Sequence, residues 1–346
     1  MMGSCIYLSL RLMNKSKTYR FLLVIVVVFS LTVLGVARAA YRPLDFSNTA
    51  SFLVSPGTTL YGLARTLNET HLQIPSWLFL LLARVTSYQG PILAGEYAVH
   101  SELNSLELLM LLRKGVTIQR AVTFVEGWTF SQWRAHLSEQ QHIGQDSAVL
   151  TGQEVMQRVG HAGSVTQTSP EGWFFPDTYF YSAGDSDLEI LRRAHRAMLR
   201  QLQAAGVQHH EDTQLDRYEV LILASMVEKE SGHSSDRNKI AAVFLNRLRQ
   251  GMRLQSDPTV IYGMGDKFDG NLVRADLIGD TAHNTYVRKG LPPTPICMPG
   301  KSSIDSVMNP AQVDFLYFVA RGDGSSEFSM TLKAHNRAVR RYQINN

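Results

Sequence analysis

Residues 220–230, VLILASMVEKE, form the stretch that most restricts how this chain can fold. Val220 to Val227 has no polar face, its single polar residue being Ser225, so a helix here must be buried on most sides. That helix runs into two glutamates, Glu228 and Glu230, and Ser231-Gly232 stops it. A carboxylic acid at the mouth of an apolar helix loses solvation, which raises its pKa and keeps it protonated near neutral pH. Such a group suits a general acid for cleaving a glycosidic bond. The plainer alternative is a helix that simply ends in solvated charges.

A chain of 346 residues has room for one membrane segment and about two domains. Net charge is only +4, and the basic clusters NKSKTYR (14–20) and Arg337, Arg340, Arg341 are too small to indicate a nucleic-acid partner. Cys5 and Cys297 lie at opposite ends and give neither a disulfide framework nor a nucleophile pattern. The 11 histidines form no HExxH or HxH set, so no metal or other cofactor is expected. His209-His210, in the polar segment VQHHEDTQ, reads as a solvated turn.

Phe21 to Ala37 is an uncharged apolar run of 17 residues, near the lower limit for crossing a bilayer. Arg11, Lys15, Lys17 and Arg20 precede it, and only Arg38 and Arg42 follow closely. The positive-inside bias puts residues 1–20 in the cytoplasm, makes 21–37 the anchor, and exports the remainder. The competing reading is a cleaved signal peptide, because Ala37-Arg38-Ala39 fits a small-residue cleavage pattern.

Beyond the connector 41–51, FLVSPGTTLYGLARTL predicts a strand, a turn, and a helix capped near Thr58 or Thr59. A helix at 75–85, a strand at 95–99 and a helix at 101–115 ending in Gly115 complete a compact α+β module over about 50–115. Residues 116–127 are β-rich and open a second, mixed α+β region that extends to 346. The polar span 137–169, with one helix at 152–159, reads as a mobile or inserted stretch. EGWFFPDTYFY (171–181) holds six aromatics in eleven residues, either core or a sugar-stacking wall. Helices are expected at 188–203 and 237–250, the latter capped by Ser234-Ser235-Asp236. Residues 253–265 and 283–296 read as irregular polar segments, and 304–320 and 327–342 each as one strand and one helix.

EGWFFPDTY (171–179), LASMVEKES (223–231), AAVFLNRLRQGMRLQSDPTVIYGMG (241–265), the pair NTY (284–286) and GLPP (290–293), and LYFVARGDG (316–324) resemble the YceG-like, or MltG-type, endolytic murein transglycosylases. Order and spacing match from the apolar run through Tyr342. The resemblance implies a single-pass inner-membrane protein with a LysM-like module at 50–115 and a periplasmic catalytic domain at 116–346. It also implies internal cleavage of peptidoglycan strands to leave a 1,6-anhydro-N-acetylmuramoyl end, and association with glycan-polymerising machinery. The family's essential glutamate corresponds to Glu230. The residues alone do not choose between the pair, although two positions on a helix differ by roughly 200° of rotation, so only one can face a given cleft. Glu230-Ser231 also resembles the Glu-Ser of other lytic transglycosylases and goose-type lysozymes. The departures, Ile296-Cys297-Met298 and 137–169, fall in expected loops and bear on specificity rather than chemistry.

Under that reading Glu230 is catalytic. Asn246, Gln255, Ser256, Asp257 and Thr259 are candidates to stabilise the oxocarbenium-like centre, and Tyr262, Asn284 and Tyr286 to line the groove. Asp257 before Pro258 has a structural alternative as an Asx turn. Two other functions compete: a muramidase that hydrolyses the same bond, and a membrane-tethered glycan-binding scaffold.

Overall fold

A computed structural model of the chain describes residues 3–344, except 45–50, 56, 70–71, 73, 88–89, 101, 161–168 and 207–214. Most of the connector and the histidine pair at 209–210 therefore lie outside the described residues. The described chain is mixed α+β and divides into two units, residues 1–119 with 182–184 and residues 120–181 with 185–346.

In the first unit, α1 (Gly3–Ala40) includes Tyr19–Ala40, 22 residues with a mean hydropathy of 2.5. Among the described residues it is the one helix long and apolar enough to cross a membrane, a test that a signal sequence also passes. Next, β1 (Ser51–Val54) pairs antiparallel with β2 (Gly95–Ala98), placing Phe52 opposite Tyr97. Two helices, α2 (Leu60–Glu69) and α3 (Ser76–Val85), lie between the strands in sequence, and α4 (Ser105–Lys114) follows them. Local chemistry sets the helix ends. Thr59 Oγ1 accepts from the Gly62 amide at 3.1 Å. Asn104 and Glu107 form a capping box on α4, a device worth about 1 kcal/mol, and Gly115 closes the helix at φ 66°. The apolar faces meet in one cluster that includes Phe52, Leu67, Phe79, Tyr97 and Leu112.

The second unit begins with β3 (Arg120–Thr123), α5 (Phe130–Ser138), α6 (Gly152–Val159), β4 (Thr178–Tyr181) and α7 (Asp187–Ala204). Then come α8 (Arg217–Glu230), α9 (Arg237–Arg249), α10 (Asp257–Met264), α11 (Arg274–Ile278) and α12 (Lys301–Met308). The hairpin strands β5 (Tyr317–Ala320) and β6 (Ser326–Ser329) precede α13 (Leu332–Val339), which runs into a π turn at Arg340–Ile344. Two antiparallel pairs form, β3 with β4 and β5 with β6. The expected apolar helix is α8: every side chain from Val220 to Val227 is buried, and α9, α10 and α12 pack against it. Ser225 is satisfied in this core, donating to the Ile222 carbonyl and accepting from the Ile296 amide.

Several expectations for this unit are corrected. Residues 257–264 are helical rather than irregular, because Pro258 sits in the first turn, where its missing N–H costs nothing. Asp236 belongs to a 3-10 turn and does not cap α9; its carboxylate accepts from the Ser326 amide at 2.7 Å. The described part of 137–169 is a packed segment. Ile143, Val155, Met156 and Val159 enter the core, Asp187 takes the Ser147 amide, and Arg134 binds the carbonyls of 147, 148 and 150. Ile296, Cys297 and Met298 do lie outside regular structure, yet all three are buried, the first two bonded to Ser225 of α8 and Met298 to the backbone of Gly127 and Trp128. The aromatic segment is core: Trp173, Phe174, Phe175, Tyr179 and Tyr181 are buried, and only Phe180 among its aromatics is exposed.

Candidate active site

The two glutamates leave α8 in different directions. Glu228 turns inward, where its buried carboxylate pairs with Arg237 at 3.1 Å. It also accepts from the Gly300 amide at 2.9 Å and Ser303 Oγ at 2.7 Å, holding the start of α12. Every side of that carboxylate is committed. Glu230 is half-buried and accepts one hydrogen bond, from Ser256 Oγ to Oε1 at 2.6 Å. Oε2 makes none among the described residues, and the carboxyl borders a cleft of about 530 Å³. Burial pushes its pKa from 4.5 up to about 7; Asp257 adds to the rise, while Ser256 and Arg247 oppose it. Near neutrality it therefore populates both the proton donor and the proton acceptor.

Ser256 is held against Glu230 by the loop 284–286. The Gln255 amide donates to the Thr285 carbonyl at 3.2 Å, and the Ser256 amide to Thr285 Oγ1 at 3.0 Å. Gln255 takes φ 50°, an uncommon conformation for a residue other than glycine, which turns the chain sharply into α10. Thr259 Oγ1 donates to the Ser256 carbonyl and meets Thr285 Oγ1. Tyr286 hydroxyl donates to Asp257 Oδ1, so Asp257 enters a side-chain bond across the cleft wall.

The residues expected around Glu230 thus separate into groups. Ser256 touches it, and Gln255, Asp257 and Tyr286 line its cleft. Thr259 and Asn284 are fully buried staples; the Asn284 amide donates to the carbonyls of Asp276, Leu277 and Gly279. Tyr262 turns to a second buried acid, donating to Glu171 Oε2 at 3.1 Å. Asn246 points elsewhere, its amide donating to the Val313 and Phe315 carbonyls. The cleft is completed by residues the sequence did not single out: Arg247, Tyr317, Phe318, His335, Asn336 and Gln343. Arg247 follows Asn246 on α9, beside the apolar stripe, where the sequence assigns it no role. The others come from the C-terminal hairpin and helix, whose amphipathic pattern says nothing about which cleft they border. Among the described residues no group of three or more His, Cys, Asp or Glu could hold a metal ion.

Comparison with known proteins bears on the family rather than on individual site residues. The chain is 38% identical over 175 residues to an endolytic murein transglycosylase of Bacillus subtilis (strain 168), covering 50% of this chain and 48% of the relative. It is 26% identical over 332 residues to an endolytic murein transglycosylase of Streptococcus pneumoniae serotype 2, covering 86% of this chain and 59% of the relative. The chain thus spans about half to three-fifths of the length of these relatives. The crystal structure of a yceG-like protein from Listeria monocytogenes superposes with a TM-score of 0.55 at 25% identity, covering 83% of this chain and 97% of that one. A profile of the YceG-like family matches residues 52–341, nearly everything after the apolar helix, and the chain belongs to that family.

Proposed function

We propose that this protein is an endolytic murein lytic transglycosylase. It would cleave the bond between N-acetylmuramic acid and N-acetylglucosamine within a peptidoglycan strand and leave a 1,6-anhydro end. The observation that carries this reading is the Glu230 carboxyl, raised to about 7 and directed at an open cleft with one oxygen unengaged. The names of the bacterial relatives point to the same reaction.

Protonated Glu230 donates to the glycosidic oxygen as the C1–O bond breaks, and the departing N-acetylglucosamine keeps that proton. The resulting carboxylate takes the proton of the muramoyl C6 hydroxyl, whose oxygen bonds to C1 and closes the anhydro ring. The acid is regenerated and no water is consumed. Ser256 holds Oε1, so Oε2 is the oxygen positioned to carry the proton. General acid–base catalysis of this kind contributes roughly 10²- to 10⁴-fold.

Hydrolysis is the second reading, and one observation favours it: the Asp257 carboxylate borders the same cleft and could activate a water. Mass analysis decides between the two. Purified glycan strands incubated with the full-length protein in detergent and oxygen-labelled water should yield unlabelled anhydro-muramoyl ends. Labelled reducing ends would establish the muramidase instead.

Residues 50–115 are read as a LysM-like glycan-binding module, a reading supported by the order β1, α2, α3, β2. Residues 21–37 would anchor the protein in the inner membrane by a single pass, with 1–20 cytoplasmic and 116–346 a periplasmic catalytic domain. Association with glycan synthases would follow from that placement. A mature protein beginning at Ala39 or Ala40 would replace the anchor with a signal peptide.

A further inference from the structure

Arg247 is the cleft residue that the proposed proton transfers do not use. It is 7% exposed. Nε donates to the Leu316 carbonyl and Nη1 to the Leu254 carbonyl, each at 2.7 Å, and the guanidinium carbon stands 5.3 Å from the Tyr317 ring centroid. Nη2 has no hydrogen-bond partner among the described residues, and no described carboxylate lies within ion-pair distance of the group. The two acids that border the same cleft are engaged elsewhere, Glu230 with Ser256 and Asp257 with Tyr286.

A guanidinium removed from water pays a desolvation penalty of several kcal/mol, which a paired carboxylate ordinarily offsets. Arg237 in the same unit has such a partner, meeting Glu228 at 3.1 Å. Two carbonyls and an aromatic face hold the guanidinium in place before any ligand arrives. The neighbouring wall contributes His335, Asn336 and Gln343, which add polarity without a counter-charge. Pinning the Leu254 and Leu316 carbonyls would need only two donors and no charge, and Glu230, although it feels the Arg247 charge, is hydrogen-bonded to Ser256 instead.

We propose that Arg247 binds a carboxylate of the glycan in the Glu230 cleft and makes the site selective for anionic over neutral strands. The proposal rests on the murein-cleaving function above. N-Acetylglucosamine is uncharged, so the carboxylate comes from the muramoyl substituent. Two sources share that chemistry: the lactyl carboxylate of a strand without stem peptides, or a free carboxylate of the stem itself. Either forms a charge-assisted hydrogen bond with a guanidinium, worth about 1.5–3 kcal/mol.

The test gives the full-length protein in detergent four strands: bare glycan, bare glycan with its lactyl carboxylates converted to methylamides, peptide-bearing glycan, and peptide-bearing glycan with its stem carboxylates converted likewise. A loss of about tenfold or more in kcat/KM on blocking the bare strand identifies the lactyl group. The same loss confined to the peptide-bearing pair identifies the stem. Arg247→Gln, checked for an intact thermal transition, should treat charged and blocked strands alike. Equal kcat/KM on charged and blocked members of both pairs overturns the proposal, whether or not that variant folds. Calorimetric binding of the four strands is measured in parallel. If no strand is cleaved, the proposed function fails, and equal affinities for charged and blocked strands would then overturn the Arg247 assignment separately.

Discussion

At the residue scale, Glu228 and Glu230 lie two positions apart and meet opposite environments. Glu228 accepts from Arg237, Gly300 and Ser303, leaving no room for substrate, while Glu230 accepts from Ser256 alone at the cleft. Glu230→Gln should lower turnover by at least 10²-fold in a glycan-release assay while leaving the melting temperature essentially intact. Glu228→Gln should do the reverse, destabilising the protein by about 2–4 kcal/mol because Arg237 loses its buried counter-charge. Equal loss of turnover in two well-folded variants would sink the assignment of a single acid. Ser256 gives a finer test through pH. Its hydroxyl favours the ionised form of Glu230, so removing it raises the carboxyl pKa further. Activity that needs the protonated acid falls as pH rises past about 7, and Ser256→Ala should move that alkaline limb to higher pH. A limb that moved down, or stayed put, would contradict the bond's role.

At the element scale, the cleft depends on contacts that order irregular segments around α8. The turn at Glu171-Gly172-Trp173 shows how closely they fit. Gly172 takes φ 82°, and a Cβ there would stand 2.6 Å from the Pro295 ring, just ahead of the segment that lies buried along α8. Gly172→Ala should therefore destabilise the fold by about 2 kcal/mol or more, combining backbone strain with a steric clash. Urea denaturation gives the measure, and an unchanged midpoint would mean that the 295 segment yields freely. Glu171 joins two elements, α5 and α10. It accepts from the Phe130 amide in the first turn of α5 at 3.0 Å and from Tyr262 of α10 at 3.1 Å. Regular elements such as α4, α7 and α8 were legible in the sequence because their caps and apolar periodicity are local. α10 was not, since DPTVIYGM carries no amphipathic repeat of the kind that marks α6. α5 was missed although Thr129 and Gln132 form its capping box, a signal that was present in the sequence.

At the scale of the whole molecule, buried acids tie stability to pH. Glu171 is 4% exposed, and burial raises its pKa from 4.5 to about 7 against the pull of its two hydrogen bonds. Between those values the unfolded chain has released a proton that the folded chain retains, so stability falls as pH rises. The slope from this group is at most about 1.4 kcal/mol per pH unit, flattening above pH 7. Thermal melts between pH 5 and 8 should show that decline, and Glu171→Gln should lessen it; an identical slope in the variant would rule out Glu171 as the source. The sequence by itself determined the elements with strong local patterns: the apolar N-terminal run, the apolar stretch of α8 and its terminal carboxyls, and the mixed α+β character. Its long motifs also pointed to the family. The family resemblance pointed to Glu230, but only tertiary structure gives the physical difference between the pair, one at the cleft and one on Arg237, because a rotation of roughly 200° has meaning only once neighbouring elements are in place. Tertiary structure alone turned Asn284 and Thr259 into buried staples, directed Asn246 to the carbonyls of 313 and 315, and brought Arg247 and His335 to the cleft that Glu230 borders. Periodicity and caps act within a few residues of the chain, whereas a cleft is built from side chains that only folding brings together.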